Sequence, residues 1–131
     1  MNQSQNERTI SNFIEVNGIG SVMTRKGIRD VFVYGYFTAW NRFSFIVHSD
    51  VHHPEFFTVS EASTGCRLLN DTYYSIEDAL YYAYPFIVSK HYYFATAISN
   101  WLVKTQKNLL KRNTRFFPKM LHHYSMRQLF L

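Results

Sequence analysis

Acidic residues are missing from the last part of this chain, since no Asp or Glu occurs between Ala79 and Leu131. All nine acids lie in the first 78 residues, where they outnumber six Lys and Arg. The acid-free stretch carries eight cations, namely Lys90, Lys104, Lys107, Lys111, Arg112, Arg115, Lys119 and Arg127. Because ordinary solvated surfaces mix both signs of charge, we expect one strongly positive end that attracts polyanions or acidic protein surfaces. Such a field indicates which class of partner the protein binds, but it does not indicate a chemical reaction.

Cysteine and long apolar runs are also scarce. Cys66 is the only cysteine, so the chain has no internal disulfide and too few thiols for a zinc site built on sulfur. A reducing, cytoplasmic location is therefore the expectation. The first residues are polar and lack the apolar stretch of a signal peptide. Lys90 and His91 interrupt the richest apolar stretch, so no membrane span is predicted.

Aromatic side chains, by contrast, are abundant. The chain of 131 residues is 47% apolar and 18% aromatic, with 12 Phe, 10 Tyr and 2 Trp. This length and apolar content predict a single domain over residues 1–131 with one core. A core of this size does not easily hide so many rings. We therefore expect some of them at the surface, where tyrosines are typical of contact areas.

The first half of the chain reads as an antiparallel meander that follows a disordered lead over residues 1–9. Its candidate strands are rich in β-branched and aromatic residues or alternate at a period of two. They cover residues 12–16, 21–24, 31–38, 42–47 and 55–62, with a return strand at 66–69. Turns are predicted at Gly18 and Gly20, at Asn41 and at Ser63-Thr64-Gly65.

Helices are predicted from Ser75 onward. Ser75 and Asp78 have the spacing of a capping box, and Pro85 is expected to break or kink the helix that follows. A second helix is predicted over residues 86–111, with Asn113 as its stop. Its buried stripe is expected to hold Phe94, Ile98, Trp101, Leu102, Thr105 and Leu109. Residues 114–131 form a basic aromatic tail, or a short helix that Pro118 opens.

The predicted fold class follows from this order of elements. It is α+β, with an antiparallel sheet of four to five strands followed by two to three helices packed on one face.

A basic stripe is the first candidate site. Asn100, Lys104, Lys107 and Lys111 are four, three and four residues apart, so they share one face of a continuous helix. Arg112, Arg115 and Lys119 extend it. The alternative is a solvated face whose cations complement the negative end of the helix.

Tyrosines next to the predicted helices are the second candidate. Tyr81 and Tyr84 are displaced from the apolar face of Ile76, Ala79 and Ala83, so both are expected to face solvent or a partner. Such rings stack on unpaired bases or form protein contacts. The alternative is that they cover the sheet.

Metal and nucleophile signals are weak. His48, Asp50 and His52 have metal-ligand side chains, but in an extended strand His48 and His52 lie about 13 Å apart. Only a tight turn brings the three together, and the alternative is a polar hairpin loop. Cys66 has no local catalytic signature, and Gly18-Ile19-Gly20 is too short to cradle a phosphate. We therefore predict no cofactor and no enzymatic activity.

One segment resembles known proteins. Phe57-Thr58-Val59-Ser60, Ser63-Thr64-Gly65-Cys66-Arg67-Leu68 and Ser75-Ile76-Glu77-Asp78-Ala79 follow one another here. They resemble a strand, Thr-Gly turn, strand and capped helix unit of small accessory proteins of phages and mobile elements. This resemblance covers under a quarter of the chain and brings no catalytic residues with it.

Three hypotheses result. The first is a small non-enzymatic protein that binds nucleic acid through its basic, Tyr-rich C-terminal half. The second, which the resemblance suggests, is an inhibitor of the anti-CRISPR type that docks on an RNA-guided nuclease. The third is a metal-dependent hydrolase at His48, Asp50 and His52.

Overall fold

The protein folds as a four-stranded antiparallel meander followed by a long helix and a short one. In the computed structural model, which describes residues 13–40 and 42–115, the strands pair in the order β1-β2-β3-β4. They are β1 (Ile14–Thr24), β2 (Gly27–Ala39), β3 (Phe43–Ser49) and β4 (Phe57–Glu61), followed by helices α1 (Ile76–Thr105) and α2 (Leu110–Thr114). The predicted α+β class is confirmed. The predicted lead at 1–9, the turn residue Asn41 and the tail from residue 116 onward lie outside the described residues.

The first two predicted strands are one strand, and the predicted turn at Gly18 and Gly20 is wrong. Both glycines lie within β1, which turns into β2 at Arg25 and Lys26, where Gly27 has a φ of 107°. Gly20 serves close packing instead. A Cβ placed on it would lie 2.5 Å from Asn113 Oδ1 and 2.6 Å from Val33 Cγ2. Glycine at this position therefore reflects a tertiary contact, which has no local sequence pattern to distinguish it from a turn.

The predicted return strand at residues 66–69 is reduced to a bridged segment beside β4. Arg67 bridges Ser60, the Glu61 N–H donates to the Cys66 carbonyl at 2.9 Å, and the Leu68 N–H donates to the Val59 carbonyl at 2.8 Å. Just before this segment, the buried Glu61 carboxylate accepts hydrogen bonds from the backbone N–H groups of Ser63 and Thr64, both at 2.8 Å. These bonds hold a tight turn, after which the chain runs back beside β4 and forms a second bridge between Phe57 and Tyr73.

Both faces of the sheet bury apolar side chains. One face packs against α1 through Ala79, Ala83 and Ile87, and its buried strand residues are Phe37, Ala39, Phe43, Phe45, Val47 and Val59. The other face forms a second cluster of Val22, Val31, Val33, Tyr36, Ile46 and Ala62. Continuous burial explains why β3 has little of the polar alternation expected of a sheet with one wet face.

The helix α1 begins at the predicted cap, Ser75, and continues past Pro85. The Ser75 hydroxyl accepts a hydrogen bond from the Asp78 N–H at 3.0 Å, which confirms the cap. The predicted break at Pro85 is wrong, since α1 runs without interruption to Thr105. Pro85 lies on the exposed side, while Ala83 and Ile87 on the opposite side are buried in the core. We infer that packing of this face offsets the backbone hydrogen bond lost at Pro85.

The predicted second helix over residues 86–111 ends early. Gln106 adopts a left-handed conformation, with φ 56° and ψ 27°, and its N–H donates to the Leu102 carbonyl at 2.8 Å. Leu109 is buried as predicted, but it follows this cap and precedes α2. Neither described helix is both long and apolar enough to cross a membrane.

Replacing Ser75 with alanine should lower the free energy of unfolding by about 1 kcal/mol, because the Asp78 N–H loses its acceptor. Chemical denaturation monitored by circular dichroism measures this. The matched control is Ser89→Ala on the same helix, where the hydroxyl bonds only to the Phe86 carbonyl. Equal midpoints for wild type and Ser75→Ala would contradict the cap.

Candidate polyanion-binding surface

Gly65 joins three segments that are distant in sequence. Its carbonyl accepts a hydrogen bond from the Met23 N–H of β1 at 2.8 Å, and the neighbouring Ser63 carbonyl accepts one from the Leu109 N–H at 2.7 Å. Gly65 has a φ of 69°, which favours glycine. A Cβ here would also lie 2.7 Å from Leu109 Cδ1 and 3.0 Å from Val22 Cα. The absence of a side chain therefore permits the contact among all three segments.

Asn113 fixes α2 to the same region. Its Nδ2 donates to the carbonyls of Ser21 and Ala62 at 2.8 and 2.9 Å, while its Oδ1 accepts from the Ser21 N–H at 2.8 Å. The side chain is fully buried. A helix of five residues has little stability of its own, so these bonds hold α2 against β1. The sequence indicated Asn113 only as a helix stop.

The predicted basic residues that the structure describes are exposed, but they do not form a stripe on one helix. Lys104 lies in the last turn of α1, Lys107 follows the Gln106 cap, and Lys111 lies in α2. Arg112 is also exposed on α2. Arg115 is tied down, because its guanidinium donates to the Ile19 carbonyl of β1. The prediction assumed a continuous helix, and the left-handed Gln106 changes the direction of the chain. Lys119 lies outside the described residues.

Cations from the first half of the chain lie at the same end, which the sequence analysis missed. Arg25 and Lys26 form the tip of the β1-β2 hairpin, and Arg29 pairs with Val22. Because Met23 and Val22 adjoin Gly65 and Leu109, this hairpin lies beside the segment that follows α1. We call this set the cationic end: Arg25, Lys26, Arg29, Lys104, Lys107, Lys111, Arg112 and Arg115. Within residues 19–30 and 104–115 the only acid is Asp30.

The predicted tyrosines lie elsewhere. Tyr81 is 71% exposed but precedes Lys104 by a distance of about 35 Å along α1 at 1.5 Å per residue. Tyr84 does not face solvent as predicted. Its ring packs edge-on against Phe37 at 5.3 Å, and burial raises the pKa of its hydroxyl. The two predicted tyrosines and the predicted cations therefore do not form one site.

The His48 loop is a hydrogen-bonded structural element. His48 is buried, with Nδ1 at 2.8 Å from the Ser49 carbonyl and Nε2 at 2.7 Å from Ser60 Oγ. The first contact makes Nδ1 the donor, so Nε2 accepts from the serine. Asp50 accepts from the N–H groups of His52 and His53 and pairs with Arg67 at 3.2 Å.

These contacts use the atoms that a metal ion would need. In the described part of the chain, no three His, Cys, Asp or Glu residues are grouped so that they could hold an ion. The geometry therefore gives no support to the metal hypothesis. Cys66 is half-buried, and burial raises the pKa of its thiol, so the nucleophilic thiolate is disfavoured.

A shallow open depression lies between the β1-β2 hairpin and the loop after β3. Its lining includes Ile19, Phe32, Val51 and Pro54, with Asp30 and Asp50 as the acids. Asp50 is already paired with Arg67. No convergent set of reactive side chains remains in it.

Replacing Asn113 with alanine should lower the free energy of unfolding by about 3 kcal/mol, because a buried N–H and two buried carbonyls lose their partner. Denaturant titration measures this, with the exposed Asn100→Ala as control. Asn113→Asp should also destabilise the protein, because a carboxylate would face the Ser21 and Ala62 carbonyls. Unaltered stability in both variants would contradict the anchoring role.

Burial also makes His48 a source of acid sensitivity, since it lowers the pKa of the ring from 6.5 to about 4. The unfolded chain therefore binds a proton that the folded chain resists. The free energy of unfolding should fall by about 3 kcal/mol as the pH drops from 6.5 to about 4. Urea titration across this range should show a flatter profile for His48→Gln than for wild type. His52→Gln, at an exposed position, should keep the wild-type profile, and equal slopes in all three proteins would contradict the assignment.

Comparisons of the chain with protein-family models, curated proteins and solved structures found no match.

Proposed function

We propose that this protein binds nucleic acid without turnover, through contacts between its cationic end and the phosphate backbone. The observation that carries the proposal is the junction at Gly65, where Met23 and Leu109 approach each other. It adds the cations of the β1-β2 hairpin to those that follow α1. Phosphate contacts by several Lys and Arg side chains release condensed counterions, and this release drives binding.

The positions of the rings favour backbone contact over base stacking. The exposed tyrosines of α1 all lie outside the cationic end: Tyr81 and Tyr82 are near the start of the helix, and Tyr92 and Tyr93 are at least eleven residues before Lys104. A strand held by the cationic end would not reach Tyr81 and Tyr82 within a few nucleotides. Phosphate contacts position a protein and carry no sequence information of their own. The proposed binding is therefore weakly dependent on sequence.

A second candidate is the anti-CRISPR type of inhibitor, which docks on an RNA-guided nuclease by protein contacts. The observation that favours it is the exposure of five tyrosines, since solvent-facing rings are typical of protein interfaces. They are Tyr74, Tyr81, Tyr82, Tyr92 and Tyr93. In this case a protein partner should be captured from nuclease-treated extract, and the alanine variants of these tyrosines should lose it.

Charge reversal tests the leading proposal. Lys104→Glu/Lys107→Glu/Lys111→Glu should abolish binding to a fluorescent oligonucleotide, and so should Arg25→Glu/Lys26→Glu in the hairpin. All five positions are exposed, so the fold should survive, as circular dichroism will show. The matched control is Lys90→Glu, an exposed cation of α1 outside the cationic end, which should bind as wild type does.

Salt dependence provides the second measurement. For wild type, a plot of log affinity against log salt should have a slope of about −0.7 per phosphate contacted on a single strand and about −0.9 on a duplex. The hairpin variant should show a shallower slope than wild type wherever residual binding remains measurable. Binding that is indifferent to both charge reversals would overturn the proposal.

A further inference from the structure

An exposed group of aromatic rings surrounds the start of α1. Tyr74 and Tyr81 are 83% and 71% exposed, and Tyr82 is 53% exposed. The rings support one another: Tyr81 and Tyr82 meet edge-on at 5.2 Å, and Tyr82 stacks on Tyr73 at 5.1 Å. Tyr74 contacts Phe56 at 4.9 Å. Rings held in place this way present contact area at little entropic cost.

Acidic residues border these rings. Glu77 and Asp78 occupy the first turn of α1, and Glu55 is next in sequence to Phe56. Burial raises the pKa of the Tyr73 hydroxyl, and the charge of Asp71 raises it further. We call this set the acidic tyrosine patch: Glu55, Asp71, Tyr74, Glu77, Asp78, Tyr81 and Tyr82. Arg67, whose charge also reaches Tyr73, is paired with Asp50 at 3.2 Å.

The patch lies on one face of α1. Asp78, Tyr81 and Tyr82 are spaced to share that face, and all three are exposed. Carboxylates and ring faces are groups that bind Lys and Arg side chains.

The cationic end carries the complementary groups, and the same molecule cannot use them. Asp78 and Lys104 lie near opposite ends of α1, about 39 Å apart at 1.5 Å per residue. A rigid helix between them prevents contact within one chain. Two chains meet no such obstacle.

We propose that the acidic tyrosine patch of one molecule binds the cationic end of a second copy, so that the chains associate head to tail. The two surfaces differ, so a dimer joined by a single contact keeps one free patch and one free cationic end, and further copies can add. The contact pairs the cations with carboxylates and ring faces. Nucleic acid competes for the cationic end, but the association does not require it.

Two variants test this proposal on the full chain freed of nucleic acid. The patch variant, Asp71→Ala/Tyr81→Ala, removes one charge and one ring outside the first turn of α1. The cation variant, Lys107→Glu/Lys111→Glu, alters the opposite end. Analytical ultracentrifugation of wild type should show oligomers that grow with protein concentration and shrink with salt. Each variant alone should self-associate about tenfold more weakly or not at all.

Mixing the variants is the decisive experiment, because each retains the surface that the other lacks. An equimolar mixture should form a heterodimer that grows no further. The control Tyr92→Ala, at a position 80% exposed on the same helix, should associate as wild type does. Added single-stranded nucleic acid should dissociate the wild-type oligomers. A wild-type protein that is monomeric at all concentrations would overturn the proposal, and so would variants that fail to combine.

Discussion

The junction around Gly65 is the constraint on which the rest of the structure depends. Residues from the first strand, the turn after β4 and the segment after α1 meet there, and two backbone hydrogen bonds join them. The close approach leaves no room for a Cβ. Asn113 adds a second fastening a few residues away, through polar groups that would otherwise be buried without partners. The same contacts therefore determine the positions of both the β1-β2 hairpin and α2.

The tertiary structure determines where charged side chains gather on the surface more than their order along the sequence does. The sequence divides into an acidic first part and a basic last part, yet Arg25 and Lys26 from the acidic part lie with the basic end. Conversely, the buried carboxylates of Glu61 and Asp50 are occupied by local hydrogen bonds and by Arg67. The fold thus buries two of the acids and gathers cations at one end.

Local signals were predictable from the sequence, and long-range contacts were not. Ser75 begins α1 because the cap needs only residues three apart, and the central strands follow from β-branched and aromatic runs. Gly20, Gly65 and Asn113 act through partners more than forty residues away, so their roles left no local pattern.

At Pro85 and Gln106, too, the local sequence did not predict where the helix ends. Packing of Ala83 and Ile87 favours helix where proline disfavours it, and the left-handed Gln106 ends a helix that side-chain spacing would continue. Because the helix ends at Gln106, the basic residues do not form the continuous stripe that was predicted, although Lys104, Lys107 and Lys111 are exposed.

The length of α1 has a consequence for motion as well as for structure. With acids in its first turn and Lys104 in its last, the helix separates opposite side-chain charges along its rigid length, and these charges oppose the peptide dipole, whose positive end lies at the helix N-terminus. A molecule of this kind experiences a torque near any strong field. The molecule rotates before contact, so its collisions with a charged surface begin from a narrow range of orientations. At a negatively charged surface, the hairpin tip and α2 approach first, and the tyrosines of the first turns of α1 face away from the surface.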